Sequence, residues 1–217
     1  MPYVVVAQEQ TKGRGQHGNI WHSAKGENLL FSFVVFPNAI KAEDQFMLNK
    51  VVSLSVRHFI ENLLKSEVYI KWPNDIYIDN KKIAGILIEH SIMNDMLSSS
   101  IIGIGINVNQ VAFPKEIPNP VSLKLVSGIG YNLDECLDVF LNTFQKYYKM
   151  FISKEIEFLN EEYLNALYLL EKKGNFLFNK NLITATIKDV DKFGRLMLAD
   201  ENNKIFTCDF NEIKFVL

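Results

Sequence analysis

Two cysteines in 217 residues, Cys136 and Cys208, form no CxxC pair and no metal spacing. That argues against a disulfide scaffold and fits a reducing cytoplasm. The four histidines (His17, His22, His58, His90) show no ligand spacing either, so no metal cluster is expected. Apolar runs such as Leu29 to Phe36 are far too short to span a bilayer. No charged-then-apolar signal segment opens the chain, and neither an internal repeat nor a Gly-x-Ser-x-Gly elbow occurs. Excess charge of one sign is also missing: 23 Lys and Arg face 25 Asp and Glu, and a net charge of −2 gives no global pull toward nucleic acid or an anionic membrane. What remains, 48% hydrophobic and 22% charged residues, is the balance of a folded globular chain. The length suits one full domain with a small second one.

Periodicity divides the chain in two. Tyr3-Val4-Val5-Val6-Ala7 reads as a buried strand, and a polar, glycine-containing loop follows from Gln8 to about Gly26. Strand signals recur at Leu29–Phe36, Val68–Trp72, Ile83–Glu89 and Ile101–Val108. Between them Leu48, Val52, Val56, Phe59 and Leu63 share a helical face. A second helix is expected from about Leu133 to Phe151, with Leu137, Leu141, Phe144 and Tyr148 as its stripe and Asn132 with Glu135 as an N-cap pair. A third is expected from Glu155 to Glu171, carrying Leu159, Tyr163, Leu167 and Leu170. After Lys172 four short strands, Leu182–Ile187, Arg195–Leu198, Lys204–Cys208 and Ile213–Val216, suggest a small β-barrel appended to an α/β domain. The expected partition is residues 1–172 and 173–217.

Three segments carry candidate chemistry. Gly13-Arg14-Gly15-Gln16-His17-Gly18 spells the dinucleotide fingerprint, but no helix start follows it, and Asn38 stands where a ribose-binding acid belongs. The loop is better read as backbone N–H groups and Arg14 wrapping an anion, with Trp21 needing a ligand to cover. Lys71-Trp72-Pro73-Asn74-Asp75 projects two charges and an amide from a bend that Pro73 keeps out of any helix. Lys82 stands at the mouth of an apolar strand in which Gly85 removes a side chain, and Gly103 and Gly105 lead to Asn107. These two glycines admit either a ligand or a closely packed helix. Together the segments suit a site that brings a carboxylate and a nucleotide phosphate side by side.

In this order the motifs resemble those of the biotin–protein ligases of the monofunctional type, over essentially the whole chain. Gln10 to Trp21 is similar to that family's biotin and adenylate loop, Lys71 to Asp75 to its Lys-Trp-Pro-Asn-Asp motif, and Lys82 to Glu89 to its catalytic-lysine strand. The resemblance implies an α+β fold, a mixed central sheet with packed helices, and a C-terminal SH3-like barrel. It implies ATP-dependent ligation of biotin to a lysine of a biotin carboxyl carrier protein through biotinyl-5′-AMP, with ATP and Mg²⁺ required and biotin as substrate. Lys82 would be catalytic and would contact biotin together with Gln10, Gly13, Arg14 and Gly85. Gln16, Trp21, Lys71, Asn74 and Asn107 would serve the nucleotide, and Asp75 would meet Mg²⁺. Relatives often pair through the sheet, so a homodimer is compatible; a DNA-binding role is not expected. Two departures stand out. The Ser-Thr-Asn-type biotin motif that usually precedes the glycine loop is not in the sequence, which starts at Met1-Pro2-Tyr3, and Gln16 stands where an arginine is frequent, a neutral amide that should hold the adenylate less firmly. A lipoate–protein ligase and a non-catalytic biotin or nucleotide binder are the alternative readings.

Overall fold

The computed structural model describes residues 3–37 and 40–216; Met1, Pro2, Asn38, Ala39 and Leu217 lie outside the described residues, as does the side chain of His17. A six-stranded sheet runs in the order β1-β2-β6-β5-β4-β3, every ladder in it antiparallel. Its strands are β1 (Val4–Ala7), β2 (Leu29–Val35), β3 (Tyr69–Lys71), β4 (Asp75–Ile78), β5 (Lys81–Met93) and β6 (Met96–Ile106). Helices α1 (Phe46–Leu64), α2 (Leu123–Ser127), α3 (Leu133–Ile152) and α4 (Ile156–Asn165) accompany it.

Alternation along β2 and β6 decides which face meets the helices. Leu29, Phe31, Phe33 and Val35 are buried, as are Ile102, Ile104 and Ile106. Phe31 and Phe33 meet Phe140 and Phe144 of α3 edge-on at 5.0 and 4.8 Å between centroids, and Phe59 of α1 packs on Phe140 at 6.2 Å. The intervening residues, Leu30, Ser32, Gly103 and Gly105, therefore face away from the helices. The opposite face is free for a ligand site.

Several sequence expectations change. β1 is not buried: it is an edge strand paired only with β2, and Val5 and Val6 are 69% and 50% exposed. The stripe of α3 is rotated to Cys136, Phe140, Phe144, Tyr147 and Phe151, while Leu137, Leu141 and Tyr148 sit half-buried beside it. Its N-cap is as read: the Asn132 side chain accepts from the N–H groups of Asp134 and Glu135. The third helix stops at Asn165, because the next residues bond to β3: Ile70 N–H donates to Ala166 O at 2.8 Å and Tyr168 N–H to Ile70 O at 2.9 Å. Leu167 and Leu170 thus lie in bridges, not on a helix.

The C-terminal part has five strands, not four: β7 (Lys173–Phe178), β8 (Asn181–Val190), β9 (Leu196–Ala199), β10 (Ile205–Cys208) and β11 (Ile213–Val216), ordered β10-β9-β8-β7-β11. β7 opens with Lys173-Gly174-Asn175, which reads as a turn and conceals the strand. This sheet seats on the larger one through Trp72, whose Nε1–H donates to Gly194 O at 2.9 Å and whose ring stacks on Phe210 at 5.1 Å. Both cysteines are buried and free; burial pushes the Cys136 thiol up to about 11 and the Cys208 thiol up to about 12. Such thiols are unreactive at neutral pH.

Candidate functional site

A cleft of about 1360 Å³ opens on the helix-free face of the sheet. The glycine loop, the β3–β4 turn and the first half of β5 enclose it, together with residues from the C-terminal sheet. β3 and β4 form a hairpin in which Lys71 lies opposite Asp75. The Trp72–Pro73 peptide in its turn is cis. Asn74 fastens the hairpin to β5: its side-chain amide donates to Ile86 O at 2.6 Å, and its own carbonyl accepts from Ile86 N–H at 3.0 Å.

On the facing strand Lys82 is held at both backbone groups, its N–H donating to Asn119 O at 2.7 Å and its carbonyl accepting from Val121 N–H at 2.9 Å. The ammonium reaches Asp75 Oδ1 at 2.6 Å, with the two side chains 30% and 19% exposed. Lys71 differs. Its Nζ makes no ion pair or hydrogen bond among the described residues and lies over two rings, Phe215 at 4.5 Å and Tyr77 at 5.2 Å. Burial holds its pKa below the ordinary lysine value, with Asp75 opposing that shift and Lys82 adding to it.

Gly85 of β5 and Gly105 of β6 stand directly opposite each other and form a flat patch with no side chains. The Trp21 indole lies on that patch. A Cβ at Gly105 would meet indole Cε2 at 2.5 Å, and one at Gly85 would meet Cζ3 at 2.9 Å. The glycines thus serve close approach from the cleft side, not helix packing. Lys82 Nζ is 5.5 Å from the same ring. The Trp21 Nε1–H is buried with no partner among the described residues.

The glycine loop folds back on itself instead of opening a helix. A 3₁₀ turn spans Gln16–Gly18, Gly15 N–H donates to Asn19 O at 2.7 Å, and Arg14 bridges to Ile20. Gly13 packs against the Trp21 carbonyl, which its absent Cβ would meet at 2.2 Å, and does not line the large cleft. Arg14 grips Glu89 of β5 through both guanidinium nitrogens at 3.1 and 3.3 Å. That pair is well exposed (71% and 49%), so it contributes little to stability. Asn107 uses its amide structurally, donating to Val121 O at 2.9 Å where β6 ends.

The cleft therefore gathers Gln10, Arg14, Gln16, Trp21, Lys71, Asn74, Asp75, Lys82, Gly85 and Asn107 from segments far apart in the chain. Sequence reasoning missed Glu89 as the partner of Arg14, the wall from Phe113 to Pro120, Phe210 of the β10–β11 turn and Phe215 of β11. Glu89 could have been found, since it lies in register with the other strand positions. Nothing in the local sequence marks the other two segments.

Comparison with known proteins places these features in a family. Residues 1–107 match the model of the "Biotin/lipoate A/B protein ligase family". The bifunctional ligase/repressor BirA of Bacillus spizizenii is 37% identical over 153 residues, covering 69% of this chain and 47% of that protein. The chain spans about half the length of such repressors. Biotin–protein ligase 2 of Arabidopsis thaliana is 29% identical across 94% of this chain and 64% of its own length. Among solved structures, the biotin protein ligase of Aquifex aeolicus in complex with biotin and ATP superposes with a TM-score of 0.82 at 29% identity, covering 98% of this chain and 88% of that one.

Proposed function

Since the chain belongs to the biotin protein ligase family, we propose that it joins biotin to a specific lysine of a biotin carboxyl carrier protein at the expense of ATP. One observation carries the reading: Lys71, Lys82 and Asp75 converge in a single cleft beside a patch bared by two facing glycines. A carboxylate and a triphosphate repel one another until a cation lies between them, and in-line attack on the α-phosphorus is limited by positioning and charge. Lys82 is the catalytic group. It contacts the biotin carboxylate and the α-phosphate, and a carboxylate oxygen then attacks phosphorus as the bond to pyrophosphate breaks. In the second step the carrier ε-amine attacks the acyl carbon, AMP leaves, and the amine proton passes to solvent.

The flat patch of Gly85 and Gly105 is the floor of the biotin subsite, with Gln10, Gly13 and Arg14 on the loop above it. Trp21 rests on that floor. Binding lifts the indole from floor to lid, and its unpaired Nε1–H gains an acceptor. Gln16, Asn74 and Asn107 belong to the nucleotide side, where a neutral Gln16 retains the adenylate less tightly than a cation would. Magnesium fits as an ion that arrives with the nucleotide. Asp75 offers one carboxylate, and no cluster of three or more metal-ligating side chains occurs among the described residues, so phosphates and water must complete the shell. Bound there, the ion supplies positive charge against the phosphates.

Residues 1–172 form the catalytic unit and 173–217 the SH3-like one. The setting is cytoplasmic, where free thiols persist. No nucleic-acid or membrane partner is assigned, and no helix among the described residues is long and apolar enough to cross a membrane. A homodimer would pair through the exposed edge strand β1. Incubation with biotin, MgATP and an unmodified carrier domain should label one carrier lysine, detected with streptavidin. Absence of label with ATP and biotin in excess would count against the reading.

A further inference from the structure

The C-terminal sheet reaches into the cleft at one place that the proposed chemistry does not use. Phe215, on edge strand β11, puts its ring 4.5 Å from the Lys71 ammonium. Its position is fixed from behind: Phe176, fully buried, meets it edge-on at 5.1 Å, and Tyr168 lies at 6.4 Å. Tyr77 closes the second side of the ammonium at 5.2 Å.

A half-buried ammonium normally finds a carboxylate or a carbonyl. Asp75, the nearest candidate, is taken by Lys82 at 2.6 Å, and two ring faces are the contacts left to Lys71. Ring faces attract a cation without neutralising it and offer no acceptor to compete with an incoming anion. An ammonium held this way keeps its donors for a ligand.

We propose that Phe215 is a positioning residue for phosphate binding: it aims the Lys71 ammonium at the triphosphate of ATP, so that the C-terminal sheet completes the nucleotide half of a cleft otherwise built by the larger sheet. The inference rests on the ligase reading for the identity of the anion, but the contact itself can be tested without any activity. Phe215→Leu keeps apolar bulk and removes the ring quadrupole; Phe215→Tyr keeps both.

Competitive acetylation followed by peptide mass spectrometry gives the pH dependence of Lys71 reactivity directly. In Phe215→Leu the ammonium stays dry but loses its ring, so its titration should move to lower pH; Phe215→Tyr should restore it. Inorganic pyrophosphate should protect Lys71 at a several-fold higher concentration in Phe215→Leu than in wild type. In pyrophosphate exchange the KM for MgATP should rise about 3- to 30-fold, the range of cation–π contacts from exposed to desolvated, while the KM for biotin stays unchanged.

Unaltered Lys71 titration and pyrophosphate protection in Phe215→Leu would overturn the proposal. So would equal losses in the leucine and tyrosine variants, since those report packing alone. A wild type that shows the labelling pattern but no exchange would instead remove the ligase reading and leave the Phe215–Lys71 contact standing.

Discussion

At Gly105 the space for a side chain is already taken: a Cβ there would sit 2.5 Å from the Trp21 indole, whereas one at Gly103 would make ordinary contacts with Ser32 Oγ at 3.5 Å and Leu87 O at 3.6 Å. Two glycines on the same face of one strand should therefore respond differently to the same change. Gly105→Ala should displace the indole, at a cost on the order of 1–3 kcal/mol, and shift the emission of Trp21 to the red; Gly103→Ala should leave both stability and emission unchanged. Thermal unfolding and tryptophan fluorescence of the two variants check this, and identical behaviour would mean that the indole does not rest on the glycines. Residue types marked the candidate segments, and the family resemblance supplied the expected roles. Lys71, Asp75, Lys82 and the glycine loop stand out because charges, amides and bare backbone recur beside strand ends. Phe215 was not legible, because an aromatic residue in a short terminal strand looks like any core residue until the strand is placed in space.

The helices follow local rules closely enough to give quantitative expectations. Asn132 caps α3 through two backbone N–H groups, so Asn132→Ala should destabilise the protein by about 1 kcal/mol, read as a lower urea midpoint at unchanged m-value. In α1, Lys50 is only 5% exposed and packs between the rings of Phe46 and Tyr163 at 5.8 and 5.3 Å, donating to Asn160 at 2.8 Å. Burial lowers its pKa below 10.5, outweighing the opposing charges of Asp189 and Asp191. Between the lowered folded value and 10.5 the unfolded chain holds a proton that the folded chain does not, so stability gains from this group as pH rises through that window. Lys50→Met should abolish that alkaline gain, and urea titrations of both proteins across the window will show whether it does. Elements bounded by caps were well delimited by sequence. Others were not: α4 stops early because Ala166 and Tyr168 bond to Ile70, a partner nearly a hundred residues away, and the α3 stripe turned by one position because Phe140, not Leu141, meets Phe31. Tertiary partners decided both.

Across the molecule, the two sheets depend on each other. Trp72 sits in the β3–β4 turn at the border of the cleft, stacking on Phe210 and donating to Gly194. Gly194 has φ +88 and leaves room for Phe46, whose Cδ2 a Cβ would meet at 2.3 Å. Gly194→Ala should cost roughly 1–3 kcal/mol through strain and crowding and should also weaken nucleotide use, because the same seating brings Phe215 to Lys71. Calorimetric unfolding combined with the KM for MgATP tests that coupling; a loss of stability with unaltered KM would separate the two. The appended C-terminal strands could be read from the order of patterns along the chain and the α+β class from the family resemblance, but the contact between the sheets could not, since it joins residues with no local signature.

The most direct test of the central claim is pyrophosphate exchange into ATP, measured without carrier, with and without biotin. Wild type should exchange only when biotin is present, and Lys82→Ala should lose about 10²–10³-fold of that rate while its circular dichroism stays unchanged. Exchange that ignores biotin, or that survives intact in Lys82→Ala, would contradict a site in which Lys82 brings a carboxylate and a phosphate together.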